Sequence, residues 1–154
     1  MLHVSFILPA YKRRFLKEAI ASILAQTCRE FELVVVDDAS PEDLKSVVDG
    51  FADERLKYVR NSENIGGKNL AAAWNKAMEY AHGEWCVLAS DDDVYAPTFL
   101  EEMLRLARLY PKVDLVHARV CAISADGRFI RAGEERMEYE SPVQFAYSRA
   151  VARY

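Results

Sequence analysis

WCVLASDDDVYAP, Trp85 to Pro97, is the stretch on which the fold turns. Trp85, Cys86, Val87, Leu88 and Ala89 form an apolar run that ends abruptly in Asp91, Asp92 and Asp93. A short apolar run followed by such a break reads as a buried strand. The strand carries three adjacent carboxylates to the edge of a sheet, where a packed core no longer shields them. Their repulsion has to be offset there. Solvent can do it, and so can a divalent cation, which takes hard oxygen ligands. Asp is also favoured at a helix N-terminus by the helix dipole, so the run before Pro97 fits a helix start as well.

Working outward, the same pattern of apolar run and polar break recurs upstream. His3 to Leu8 is apolar and β-branched, and Pro9 is expected to end it. Phe15, Leu16, Ala19, Ile20, Ile23 and Leu24 share one helical face in the stretch that follows, to Gln26. Phe31 to Val36 holds the unbroken Val34-Val35-Val36 typical of a parallel strand, and it too ends in acids, Asp37 and Asp38. Ser40 and Pro41 fit the N-cap and first position of a helix to about Phe51. Leu56 to Arg60 is a short third strand. A polar loop with Gly66 and Gly67 leads to a helix over Asn69 to His82, with Ala71, Ala72, Ala73, Trp74, Ala77, Met78 and Ala81 on its buried side and Gly83 as its stop. Beyond the acidic strand, Pro97 to Tyr110 reads as a helix and Asp114 to Ile123 as a strand. Asp126-Gly127 marks a hairpin turn, and Arg128 to Arg131 the returning strand. Ser141 and Pro142 begin a last helix.

Strands alternating with helices specify an α/β fold, a mainly parallel sheet flanked by helices on both faces. In such sheets ligands bind outside the carboxyl ends of the strands. Three polar clusters fall there: Pro9-Ala10-Tyr11, Asp37-Asp38 and Asp91-Asp92-Asp93. Their convergence on one rim argues for a cleft more strongly than any one of them.

Bulk properties exclude several classes. The 154 residues suffice for one domain with a real core, and 51% hydrophobic residues argue against disorder. A net charge of -4 argues against a general nucleic-acid binder. Cys28, Cys86 and Cys121 are too dispersed for a zinc site or a disulfide framework, which points to a reducing, cytoplasmic compartment. No apolar run nears the ~20 residues of a membrane span, and the amino-terminal stretch is expected to be a strand rather than a signal peptide. There is no GxGxxG, no GxxxxGK[ST] and no GxSxG. What remains is a site of carboxylates with an aromatic at a loop. Carboxylates can hold a cation whose other side binds a diphosphate, Tyr11 can stack on a base, and Asp38 can accept a hydrogen bond from a base imide.

Four segments carry a resemblance: VSFILPAYKRRFLKEAIASILAQT, FELVVVDDAS, the loop NIGG, and AWNKAMEYAHGEWCVLASDDDVYAP. They are similar, in order and spacing over roughly residues 3 to 110, to the family 2 glycosyltransferases. That resemblance implies the GT-A fold, a Rossmann-like nucleotide-diphospho-sugar transferase, and an enzyme of the hexosyl-transferring, inverting kind used in polysaccharide biosynthesis. It implies that Pro9, Ala10 and Tyr11 line the base pocket, that Asp38 contacts the base and that Asp37 supports the turn. Asn64, Gly66 and Lys68 would lie beside the nucleotide, and Asp91 near the ribose. Asp92 would be the principal ligand of Mn2+ or Mg2+ in a DXD-type motif, with Asp93 assisting. Ser90 stands where many relatives have another Asp, which leaves the register of the motif open by one residue. The implied partner is a nucleotide-diphosphate sugar, a UDP-sugar foremost, with a glycan, lipid or protein acceptor.

Plainer readings stand beside these. Tyr11 can pack on the first helix, Asp37 can be a solvated turn residue, and Asn64 and Gly66 can serve backbone geometry alone. Lys12, Arg13 and Arg14 fit a solvated helix start, and Trp74 and Trp85 fit the core. An inverting transferase also needs a general base for the acceptor hydroxyl. None is assigned: Glu134, Glu135, Glu138 and Glu140 lack the family's motif. The chain is therefore expected to be a single GT-A-type domain, residues 1–154, cut short on its acceptor side. The alternative is a nucleotide-sugar-binding module without turnover. Self-association through apolar surface left uncovered is expected, as is placement at the cytoplasmic face of a membrane through parts outside this stretch.

Overall fold

The computed structural model describes residues 4–133. The chain divides into two compact units, Met1–Val116 and His117–Tyr154. In the first, β1 (Val4–Ala10), α1 (Leu16–Leu24), β2 (Phe31–Asp37), α2 (Lys45–Asp49), β3 (Leu56–Arg60), α3 (Leu70–Met78), β4 (Trp85–Leu88) and α4 (Phe99–Leu109) follow one another. The strands form one sheet in the order β3-β2-β1-β4, every neighbouring pair parallel. This is the expected α/β architecture, and it puts all four carboxyl ends on one rim.

Strand alternation sorts the side chains into two layers. Val4, Phe6 and Leu8 of β1 and Phe31, Leu33 and Val35 of β2 pack with Leu16, Ile20 and Ile23 of α1, Val48 of α2, and Leu100 and Leu104 of α4. Ile7, Val34 and Val36 face the other way and meet Ala77 of α3. Phe6 is the hub of an aromatic group, with Phe31 at 5.3 Å and Tyr95 at 5.7 Å, both edge-on.

Several elements depart from expectation. Pro9 does not end β1; it pairs with Val36 inside the strand. Ile7 accepts a hydrogen bond from Ala89 N–H on the β4 side, and Pro9, two residues on, faces the same way. β4 has ended by then, so the missing proline N–H costs no ladder bond. Pro41 does not open α2, which spans only Lys45–Asp49, although the Ser40 hydroxyl makes a cap-like bond, accepting from Glu42 N–H while it donates to the Tyr11 carbonyl. α3 stops at Met78, not His82, and Gly83 N–H reaches the Ser5 hydroxyl instead of capping the helix. Asn69 is its N-cap, accepting from Ala72 N–H at 3.1 Å. Trp74 and Met78 are exposed, not buried, and Leu88 of β4 is 39% exposed, so this edge strand is only half covered.

In the second unit, β5 (Cys121–Ile123) and β6 (Phe129–Ala132) pair antiparallel across Asp126-Gly127, with Gly127 at φ 80° as the turn demands. The expected strand from Asp114 is present only from Cys121. The expected last helix and the acidic stretch from Glu134 lie outside the described residues. Among the described residues no helix is long and apolar enough to cross a membrane.

Candidate functional site

The sheet brings the three polar clusters to one rim and ties them together. Beyond β4, the Asp91 carboxylate reaches the loop after β1: its Oδ2 accepts from both Tyr11 N–H and Lys12 N–H, each at 2.9 Å. Asp91 is thus a latch between two strand ends. Tyr11 itself is exposed on the rim, while Ala10 is buried and Pro9 half-buried.

β2 supplies the second cluster. Asp38 N–H donates to the Ala10 carbonyl, continuing the β1–β2 ladder by one bond past the strand. The chain then kinks at Ala39, whose φ of 53° lies in the left-handed region that few alanines occupy. The kink turns the Asp38 carboxylate into the loop after β3. There it accepts from Gly66 N–H at 2.7 Å, Asn61 Nδ2 at 2.8 Å and Ile65 N–H at 3.1 Å. Burial opposes the charge on Asp38, but these donors outweigh it and hold the pKa below the usual carboxylate range. Ile65 N–H lies 3.1 Å from both oxygens, so each of the two carboxylate oxygens accepts from two donors of the loop. Asn64 belongs to the same knot: its amide donates to the Asp38 carbonyl, and its oxygen takes Gly67 N–H at 2.6 Å. Lys68 lies apart, exposed, with Glu63 at 3.7 Å.

Asp37 points the other way and is fully buried. Its carboxylate accepts from Ser40 N–H at 2.7 Å, Tyr58 hydroxyl at 2.5 Å and the Arg60 guanidinium. It is an organising group of the turn, not a solvated one. Tyr58, Arg60 and Asn61 were not singled out from the sequence. Their signal is the β2–β3 register, which sets Arg60 beside Asp37 and is invisible until the strands are paired.

Asp92 and Asp93 project from the rim as exposed carboxylates. Desolvation first, then the neighbouring Asp92 and Asp91 charges, push the Asp93 carboxyl up. Asp92 accepts from the Ser90 hydroxyl. Among the described residues no three His, Cys, Asp or Glu side chains are grouped to enclose a metal ion. The donor set instead fits a cation of the Mg2+ type, held by one or two carboxylates and completed by the phosphates of a substrate. The loop that carries this acidic pair is fixed from behind. Gln26, just past the end of α1, accepts from Leu100 N–H and donates to the Ala96 carbonyl, both at 2.8 Å, and Thr27 N–H donates to the Pro97 carbonyl at 2.9 Å. Tyr95, pushed up to about 12 by burial and by Asp93, packs its ring on Phe99 at 4.9 Å.

Known proteins resemble this chain in sequence and fold. A UDP-Glc:alpha-D-GlcNAc-diphosphoundecaprenol beta-1,3-glucosyltransferase of Escherichia coli is 33% identical over 104 residues, 67% of this chain and 40% of that protein. Among solved structures, S. aureus TarS 1-349 in complex with UDP superposes with a TM-score of 0.64 and 26% identity over 71% of this chain and 33% of TarS 1-349. The mannosyltransferase PcManGT of Pyrobaculum calidifontis, solved with GDP-Man and Mn2+, gives 0.59 and 27% over 79% of this chain and 35% of its own. The chain thus spans less than half the length of these proteins. The family model for glycosyl transferase family 2 matches residues 5–151, nearly the whole sequence, and with the parallel sheet and its acidic rim this makes the chain a member of that family.

Proposed function

We propose that the chain binds a nucleoside-diphosphate sugar at the carboxyl rim of its sheet and is the donor-binding part of an enzyme that transfers the sugar to a hydroxyl acceptor. One observation carries this reading. The Asp91 latch and the Asp38 knot bring the loops after β1, β2, β3 and β4 to a single rim, with Tyr11 exposed between them and Asp92 and Asp93 at one end. A nucleoside diphosphate needs those features in that order: a flat surface and a polar border for the base, and an end able to hold a cation against the diphosphate.

In this reading Tyr11 stacks on the base, Asp38 and the loop from Asn61 to Lys68 border it, and Asp91 lies at the ribose. Asp92, with Asp93 beside it, holds Mn2+ or Mg2+. A cation there neutralises charge on the departing diphosphate. The acceptor oxygen attacks the anomeric carbon from the face opposite the nucleotide, which inverts the configuration. The base that takes the acceptor proton is not assigned.

Titration calorimetry with UDP and with GDP, with and without Mn2+, tests the reading on the wild-type chain and on Asp92→Ala. Metal-dependent binding of one nucleotide, lost in Asp92→Ala, is expected. Equal binding by the variant, or none by a folded wild type, overturns it. For the complete enzyme, the anomeric configuration of the product, followed by proton NMR, tests inversion.

A further inference from the structure

Asp37 is buried in full at the end of β2, yet both groups that steady its Oδ2 come from β3: Tyr58 and Arg60. Arg60 sits at the rim with its side chain 46% exposed, and its second terminal nitrogen donates to the Ser40 carbonyl at 2.9 Å. Ser40 N–H in turn donates to Asp37 Oδ1, and the Ser40 hydroxyl donates to the Tyr11 carbonyl at 2.6 Å. A continuous chain of hydrogen bonds therefore runs from the β3 edge, through the turn after β2, to the loop after β1. Its centre is Ala39, a residue with a Cβ at φ 53°. Such a conformation persists only where its surroundings over-determine it. Here the bonds on either side of it do so.

We propose that Tyr58 and Arg60 are positioning residues of the nucleotide site, acting through Asp37 to lock the Asp37–Ser40 turn that aims Asp38 at the Gly66 loop and sets the Tyr11 backbone on the rim. What the turn is positioned for rests on the donor-site reading above; the lock itself does not. The guanidinium suits the task because its planar fork reaches two acceptors at once, the Asp37 carboxylate and the Ser40 carbonyl. Lysine keeps the charge beside Asp37 but cannot span both. Phenylalanine at 58 removes one donor and leaves the packing.

The test compares wild type with Tyr58→Phe, Arg60→Lys and Arg60→Ala. Two readouts are taken: amide hydrogen exchange by NMR, and calorimetric affinity for UDP and GDP with Mn2+. Exchange is expected to quicken at Ser40 and at Ile65 and Gly66 while the amides of β1 keep their protection. Affinity is expected to fall about tenfold in Arg60→Ala and by less in Arg60→Lys, the loss of hydrogen bonds to a charged group being of that order. A merely structural ion pair would quicken exchange across the whole sheet instead, and that result overturns the proposal. So does unchanged exchange in both Tyr58→Phe and Arg60→Lys, the two variants that leave Asp37 a partner and keep the fold. Local exchange changes with unchanged affinity, in a wild type that binds nucleotide, overturn the positioning role. A wild type that binds neither nucleotide, with the local exchange response intact, upholds the lock and sinks the donor-site reading.

Discussion

Asp37 and Asp38 are adjacent and chemically identical, yet the turn at Ala39 gives them opposite tasks. Asp37 is sealed inside by β3, and Asp38 is spent on the loop that follows β3. The loop is built to the dimensions of that carboxylate. A Cβ added at Gly66 would stand 3.0 Å from Asp38 Oδ2, and one at Gly67 would stand 2.3 Å from Asn64 Oδ1. The second contact cannot be tolerated. Asn64 is held from its other side by the Asp38 carbonyl, so Gly67→Ala has to break the 2.6 Å bond from Gly67 N–H to Asn64. The expected cost is about 1–2 kcal/mol in urea denaturation, with weaker nucleotide binding and an intact metal response. Gly66→Ala is expected to be milder for stability, because the neighbouring oxygen has only to give by a few tenths of an ångström. An equal or greater loss at Gly66 would mean that the Asp38 carboxylate cannot move at all.

At the scale of elements, the acidic loop after β4 is steadied by the turn that follows α1 rather than by its own sequence. Gln26 is buried and bonded to backbone groups on both sides of the α4 start, Leu100 N–H and the Ala96 carbonyl. Gln26→Leu fills the space but takes the partner from Leu100 N–H and from the Ala96 carbonyl, at roughly 1–3 kcal/mol each, and also drops the longer bond to the Ser22 carbonyl. Loss of about 2–4 kcal/mol in urea denaturation is expected, together with weaker Mn2+-dependent nucleotide binding. A stability change below about 0.5 kcal/mol would show that solvent replaces both bonds. Nothing in the sequence around Gln26 marks it, because its partners lie some seventy residues on. What was legible were features written in local pattern: the Val34-Val35-Val36 run, the apolar stripe of α1, and the acids that end β2 and β4. Features that depend on the partner across a gap were not. Pro9 reads as a strand end until β4 is seen to stop first, and the tie of the Ser40 hydroxyl to the Tyr11 carbonyl has no local mark. Trp74 reads as core because its type and spacing fit a buried face, and nothing local says that α3 presents it to solvent. The site divides the same way: the rim carboxylates were legible, and the β3 residues that aim them were not.

At the scale of the whole molecule, the opposite end of the sheet has its own charged tie. Glu32 is buried with Ser5 of β1, Lys57 of β3 and the His82 amide before β4 around its carboxylate, at 2.6, 2.7 and 3.0 Å. Burial opposes its charge, but those bonds hold the carboxyl down to about 2. A depressed folded pKa contributes stability that is complete above the unfolded value near 4.5 and is lost as pH falls toward 2. The side chain is only 7% exposed, so the contribution is of order 3 kcal/mol. Glu32→Gln is therefore expected to flatten the decline of stability between pH 5 and pH 3, measured by urea midpoints, beneath whatever slope the other carboxylates give; parallel curves for the two proteins would refute the tie. The first unit also leaves an apolar surface uncovered. Leu70, Trp74 and Met78 follow one another at helical spacing on α3, exposed to 57%, 42% and 37%. Leu88 of β4 pairs with Ile7, which faces α3, so it belongs to the same side of the sheet, beside a strand whose outer edge has no strand partner among the described residues. Apolar side chains next to an open strand edge favour association. Multi-angle light scattering is expected to show mass above the 17.5 kDa monomer as concentration rises, and Trp74→Glu to restore the monomer without lowering nucleotide affinity. A clean monomer at millimolar concentration would show that Leu70, Trp74 and Met78 are dispersed enough to stay in water.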